Sequence, residues 1–124
     1  MNDNRPVNLD ITTIKFPLAA IASILHRISG IGLFVGVGIL LYFLEISLRS
    51  EASFAEVASL LENTLIKLLF WLILAAVFYH LIAGIKHLLL DLGLGESKQG
   101  AKTGALVTWI LFVITAGIGG IWLW

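Results

Sequence analysis

Hydrophobic residues in this chain form three long runs, separated by short polar segments. The runs cover residues 28–44, 68–85 and 105–124, and among them they contain one histidine and no Asp, Glu, Lys or Arg. Each has about 17–20 residues, close to the roughly 20 that a helix needs to cross a ~30 Å hydrocarbon layer. Because lipid cannot hydrogen-bond to backbone groups, we expect all three runs to be α-helices.

These runs define the predicted architecture. We expect an all-α membrane protein with three transmembrane helices, forming one membrane-anchor domain over the whole chain, 1–124. With flanking residues included, the predicted spans are about 23–48, 65–90 and 105–124.

The two predicted connections differ in character. The first has apolar residues at helical spacing, including Phe54 and Val57, with Ser53 and Glu56 at the separation of a capping box. We expect a short amphipathic helix there. The second connection is rich in glycine, which predicts a turn.

Composition supports a membrane location. Hydrophobic residues make up 59% of the chain and charged residues 13%, and the formal net charge is zero. We therefore expect membrane lipid around the chain and no nucleic-acid partner. The absence of cysteine excludes disulfides and self-ligated iron–sulfur clusters, so metal binding depends on histidine. No basic segment precedes an apolar core at the N-terminus, and we expect no cleavable signal peptide.

Basic residues predict the orientation. Six of the eight Lys and Arg residues lie before the first apolar run or between the second and third runs, and the other two lie between the first and second runs. The positive-inside rule then places the N-terminus in the cytoplasm. With three spans, the C-terminus lies on the opposite, periplasmic side.

His80 is the only residue in the run 68–85 that is an acid or base near neutral pH, since the run contains no Asp, Glu, Lys or Arg. Such a group costs about 2.5–3.5 kcal/mol at membrane depth on insertion scales, so a function is expected of it. Gly84, His87 and Asp91 follow on the same helix face, and Gly84 leaves room for a flat cofactor. Two interpretations stay open: His80 is a metal or haem ligand, or it forms an interhelical hydrogen bond.

The first helix carries a second polar face. Ser23, His26, Arg27 and Gly30 follow at i, i+3, i+4 and i+7. The predicted topology brings this face and the His80 face to the same membrane level. Arg27 is either a donor to a polar head group or a side chain that extends to lipid phosphates.

Two segments of the chain resemble one family. RPVNL at 5–9, Pro17 and SILHRISG at 23–30 look like the first signature of the membrane cytochrome b subunit of succinate dehydrogenase. HLIAGIKH at 80–87, followed by DLG at 91–93, resembles the second signature. The resemblance covers essentially the whole chain, although Lys86 stands where the family favours Arg.

The resemblance implies roles for individual residues. His80 corresponds to the axial ligand of a haem b shared with a second membrane subunit. Ser23 and Arg27 correspond to residues at the ubiquinone head group. His26, Lys86 and His87 correspond to the surroundings of the haem.

The same resemblance implies a function within a complex. The chain is expected to anchor succinate:quinone oxidoreductase in the bacterial inner membrane, completing a helical bundle with the second membrane subunit. A flavoprotein subunit oxidises succinate and an iron–sulfur subunit relays the electrons, so this chain is not itself the succinate-oxidising enzyme. The alternatives are a haem b anchor of another respiratory dehydrogenase and a haem-free structural anchor.

Overall fold

The computed structural model describes residues 10 and 12–124, which form four α-helices and no strand. The helices are α1 (Leu18–Ser47), α2 (Glu51–Leu60), α3 (Thr64–Asp91) and α4 (Lys98–Leu123). The RPVNL segment of the first signature, at 5–9, lies outside the described residues.

Three of the helices are long and apolar enough to cross a membrane. These are α1, α3 and α4, with 30, 28 and 26 residues. The predicted all-α class with three transmembrane helices is confirmed. Two helices begin well before the predicted spans, because local backbone capping sets the start of a helix and hydrophobicity does not. Pro17 precedes α1, and the Ser97 hydroxyl accepts a hydrogen bond from the Gly100 N–H at the start of α4.

The first connection contains the expected short helix, but its cap differs from the prediction. The N-cap of α2 is Ser50, whose hydroxyl accepts a hydrogen bond from the Ser53 N–H at 3.0 Å. Ser53 therefore lies inside the helix, and the assignment of Ser53 as a cap is wrong. The spacing of Ser50 and Ser53 is the usual separation of a cap and its N3 partner. After α3, Gly93 and Gly95 both adopt positive φ, which makes the predicted turn.

Helix α3 packs most extensively, against both α1 and α4, and these two helices also contact each other. Small residues are buried where the helices meet, as is usual between membrane helices. They include Ala22 and Gly36 in α1, Ala83 in α3 and Ala116 in α4. Close approach of the backbones follows from these small side chains.

Two aromatic side chains of α3 join the three helices by hydrogen bonds. The Tyr79 hydroxyl donates to the Ala22 carbonyl at 3.0 Å, and the Trp71 indole N–H donates to the Ala116 carbonyl at 2.9 Å. These bonds connect the start of α1 to the later part of α3, and the start of α3 to the end of α4. Helix α3 therefore runs antiparallel to both α1 and α4.

Glycines on α1 are not equivalent. A Cβ atom at Gly36 would lie 3.0 Å from Cγ2 of Ile73, whereas a Cβ atom at Gly38 would meet nothing within 4 Å. Gly32 is open in the same way. Gly32 and Gly36 are spaced four residues apart on α1, but among the described residues only Gly36 lies against another helix.

This difference predicts the effect of adding side chains to α1. Gly36→Val should destabilise the protein by about 1–3 kcal/mol, because the new methyl groups overlap Ile73 and force α1 away from α3. The measurement is thermal unfolding in detergent micelles, followed by tryptophan fluorescence.

Gly38→Val is the matched control, since it makes the same change in the same helix at an open position. Equal melting temperatures for the two variants would contradict the packing described here.

Candidate functional site

The three histidines of the chain come together between α1 and α3. The His26 ring from α1 stacks on the His80 ring of α3, with centroids 4.1 Å apart and planes at 23°. The His26 ring also lies 5.1 Å from the His87 ring, at a tilt of 41°. The two polar faces thus meet at one level of the helix bundle, as the sequence pattern predicts.

A glycine on each helix makes room for the histidine of the other. A Cβ atom at Gly30 would lie 3.1 Å from Cε1 of His80, and a Cβ atom at Gly84 would lie 3.5 Å from Nε2 of His26. Gly84 was expected to leave space for a flat cofactor. In the structure, the side chain nearest to it is the His26 ring.

The hydrogen bonds of His80 define its tautomer. Nδ1 of His80 lies 3.1 Å from the backbone oxygen of His26 and 3.0 Å from the Ser29 hydroxyl oxygen. A carbonyl oxygen can only accept, so Nδ1 carries the proton. In a neutral imidazole the lone pair is then on Nε2, which is the form that binds a metal.

Ser29 is a member of the histidine cluster's hydrogen-bond network that sequence reasoning missed. It lies within the first signature, and its hydroxyl donates to the His26 carbonyl oxygen at 2.7 Å. Serine commonly forms this bond to the carbonyl one turn earlier in a helix. The spacing of Ser29 from His26 predicts this local bond, but not the contact of Ser29 with His80.

His26 has an unsatisfied nitrogen. Its Nε2 atom is buried and has no hydrogen-bond partner among the described residues. Such an atom costs about 1–3 kcal/mol. The histidine cluster therefore has one polar atom that the packing of these helices does not satisfy.

The cluster is not a complete metal site. Within residues 10 and 12–124, no three His, Cys, Asp or Glu side chains are arranged to hold a metal ion. The His26 and His80 rings stack face to face, so their nitrogens do not converge on one ion. A metal at Nε2 of His80 would need further ligands from elsewhere.

Ser23 and Arg27 lie on α1 beside the histidine cluster. Ser23 is half-buried and Arg27 is exposed. Neither side chain forms a hydrogen bond or ion pair with another described residue. Their polar atoms are available to a ligand or to lipid.

Lys86 extends away from the histidines, toward α4. Its side chain packs over Gly104, where an added Cβ atom would lie 3.6 Å from Cε of Lys86. It lines an apolar groove of about 270 Å³ between α3 and α4. The structure brings His26, His80 and His87 together and leaves Lys86 on a different side of α3.

Comparison with known proteins identifies the family. A family model described as succinate dehydrogenase/fumarate reductase transmembrane subunit matches residues 1–118. The chain is 42% identical to a protein of Coxiella burnetii over the full length of both chains.

Two further relatives are more distant. The chain is 31% identical to a protein of Paracoccus denitrificans, with 90% of this chain and 91% of that one aligned. It is 34% identical to a protein of Rickettsia bellii, with 90% of each aligned. All three relatives are named succinate dehydrogenase cytochrome b556 subunit. The resemblance inferred from the two signatures is confirmed, and the chain belongs to the succinate dehydrogenase/fumarate reductase transmembrane subunit family.

Proposed function

We propose that this chain is the haem b-containing membrane-anchor subunit of succinate dehydrogenase, passing electrons from succinate to ubiquinone. The observation that carries the proposal is the bonding of His80. Its Nδ1 proton is directed at the His26 carbonyl oxygen, 3.1 Å away, which leaves the Nε2 lone pair for iron. The names of the relatives, cytochrome b556 subunits, support the same cofactor.

This chain would supply one of the residues that hold the haem iron. His80 would provide one imidazole, and a histidine of a second small membrane subunit would provide the other. The haem, when bound, supplies one-electron redox chemistry. His26 and His87 are the surroundings of His80 in this chain, and the unsatisfied Nε2 of His26 is available to a polar group of the cofactor.

A haem-free anchor is the second candidate, and the same hydrogen bond favours it. The Nδ1 proton of His80 already links α3 to α1, which is the role of an interhelical hydrogen bond. The two roles use different nitrogens of the ring. A bond at Nδ1 therefore does not compete with iron at Nε2, and an optical spectrum separates the candidates.

Removing the ligand tests the haem assignment. His80→Leu should abolish the low-spin, six-coordinate spectrum of the purified complex or convert it toward high spin, because one axial imidazole is lost. Reduced-minus-oxidised optical spectra measure this.

His87→Leu is the control, since it removes another histidine of the same cluster. It should retain the six-coordinate spectrum. An unchanged spectrum in His80→Leu would contradict the assignment, and a wild-type complex without haem would favour the structural anchor.

Ser23 and Arg27 are the proposed contacts of the ubiquinone head group. They lie one turn apart on α1, next to the histidine cluster. Arg27 is exposed and Ser23 is half-buried. A hydroxyl and a guanidinium can both donate to a quinone carbonyl oxygen. The alternative for Arg27 is contact with lipid phosphates only.

Truncation of Arg27 distinguishes these two roles. Arg27→Ala should lower kcat/KM for quinone reduction by at least about tenfold, which corresponds to the ~1.5–3 kcal/mol of a hydrogen bond to a charged group. Succinate oxidation with an artificial acceptor should stay close to wild type, because that reaction occurs on the soluble subunits.

Arg49→Ala is the matched control. Arg49 is also an exposed arginine beside α1, but at the opposite end, where it pairs with Glu45 at 2.8 Å. If Arg27→Ala and Arg49→Ala have the same quinone kinetics, Arg27 contacts lipid only.

The proposed setting is a complex in the bacterial inner membrane. The partners are a second small membrane subunit, an iron–sulfur subunit and a flavoprotein subunit. The proposed orientation places the N-terminus in the cytoplasm, because the basic residues concentrate near the start of the chain and in the ends of α3 and α4 that flank their connection. The histidine cluster then lies in the cytoplasmic half of the membrane, where a soluble electron donor docks.

A reporter fusion tests the orientation. A reporter fused after Trp124 should be active on the periplasmic side, because three crossings separate it from the cytoplasmic N-terminus. A second fusion in the connection between α3 and α4, at Glu96, should report the cytoplasm. A cytoplasmic signal from the Trp124 fusion would contradict the proposed topology.

A further inference from the structure

We propose that Ser29 is a positioning residue for the haem ligand. Its hydroxyl and the His26 carbonyl together hold the Nδ1–H of His80, and so set the electron donation of Nε2 to the iron. This inference rests on the proposed function of His80 as an axial ligand. It assigns a role to a residue that touches neither the iron nor the substrate.

The direction of each hydrogen bond follows from the number of available protons. The Ser29 hydroxyl has one hydrogen, and this is donated to the His26 carbonyl oxygen at 2.7 Å. Toward His80, 3.0 Å away, the Ser29 oxygen therefore acts as an acceptor. The Nδ1 proton is shared between two acceptors, the Ser29 hydroxyl oxygen and the His26 carbonyl oxygen.

The arrangement is rigid because both acceptors belong to the same turn of α1. Ser29 follows His26 by one turn, and Gly30 next to it allows the His80 ring to approach the helix. The His26 ring stacks on one side of the His80 ring. Rotation of the His80 ring would break both hydrogen bonds and the stacking at once.

The two acceptors also influence the electronic character of the ligand. An acceptor that draws on the Nδ1 proton makes Nε2 more basic, as the outer partners of metal-bound histidines generally do. A more basic imidazole favours ferric over ferrous iron. Loss of one of the two acceptors should therefore raise the midpoint potential of the haem.

Substitution of Ser29 in the assembled complex tests this role. Ser29→Ala removes the hydroxyl with little change in volume. The haem should remain six-coordinate, and its midpoint potential in an optical redox titration should shift upward. Ser29→Thr keeps a hydroxyl and should have a potential closer to wild type.

Ser47→Ala is the matched control for the helix itself. The Ser47 hydroxyl makes the same local bond, to the Leu44 carbonyl at 2.7 Å, but contacts no histidine. Its removal should leave the potential unchanged. Loss of haem in Ser29→Ala, with retention in Ser29→Thr and Ser47→Ala, would also support the role.

Three results would overturn the inference: an unchanged potential in Ser29→Ala, the same shift in Ser29→Ala and Ser29→Thr, or the same shift in Ser47→Ala. Each is distinct from failure of the proposed function. If His80 is not a ligand, the six-coordinate spectrum survives in His80→Leu, whatever Ser29 does.

Discussion

An imidazole at membrane depth requires a partner for its N–H group, and this requirement organises the packing of α1 against α3. No water is available there, so the partner must come from another part of the protein. The His26 carbonyl can serve because Gly30 and Gly84 allow the two helices to place their histidines against each other. The close approach of the two helices stacks the His26 and His80 rings, and it engages Nδ1 of His80 in a hydrogen bond while leaving Nε2 outside that bond.

Helix α3 presents chemically different side chains to its two neighbours, α1 and α4. Toward α1 it presents His80 and His87, and toward α4 it presents Lys86, whose side chain crosses Gly104. The resemblance to the family places all three near the haem. In this chain the lysine lies on its own side of α3, beside an apolar groove. Whether a basic side chain can reach a cofactor depends on the helix face that carries it, as well as on its position in a motif.

Much of the fold follows from the sequence, for an identifiable reason. A long apolar run in lipid can satisfy its backbone within its own segment only as a helix, so the three long helices are predictable from the length of the apolar runs. Helix starts are less predictable, because a polar turn such as the one after Ser97 extends α4 without adding apolar residues. The cap of α2 was placed at Ser53, three residues late, since both serines have suitable spacing.

The histidine cluster was predictable in part. The helical repeat of 3.6 residues groups His26 with the polar face of α1 and His80 with the polar face of α3. Because α1 and α3 are antiparallel, the two histidines lie at the same depth along the bundle. The partner of Gly84 was not predictable, because spacing along one helix does not reveal which side chain of another helix fills a gap. Ser29 was missed for the same reason: its bond to His80 joins residues 51 positions apart.

The sequence separation within the site has a consequence for biosynthesis. The bond from Ser29 to the His26 carbonyl lies within one turn of α1, so it can form as soon as that helix does. The donor, His80, belongs to α3 and is translated later. Both acceptors, the Ser29 hydroxyl oxygen and the His26 carbonyl oxygen, are therefore in place on α1 before the insertion of α3 brings His80 to them.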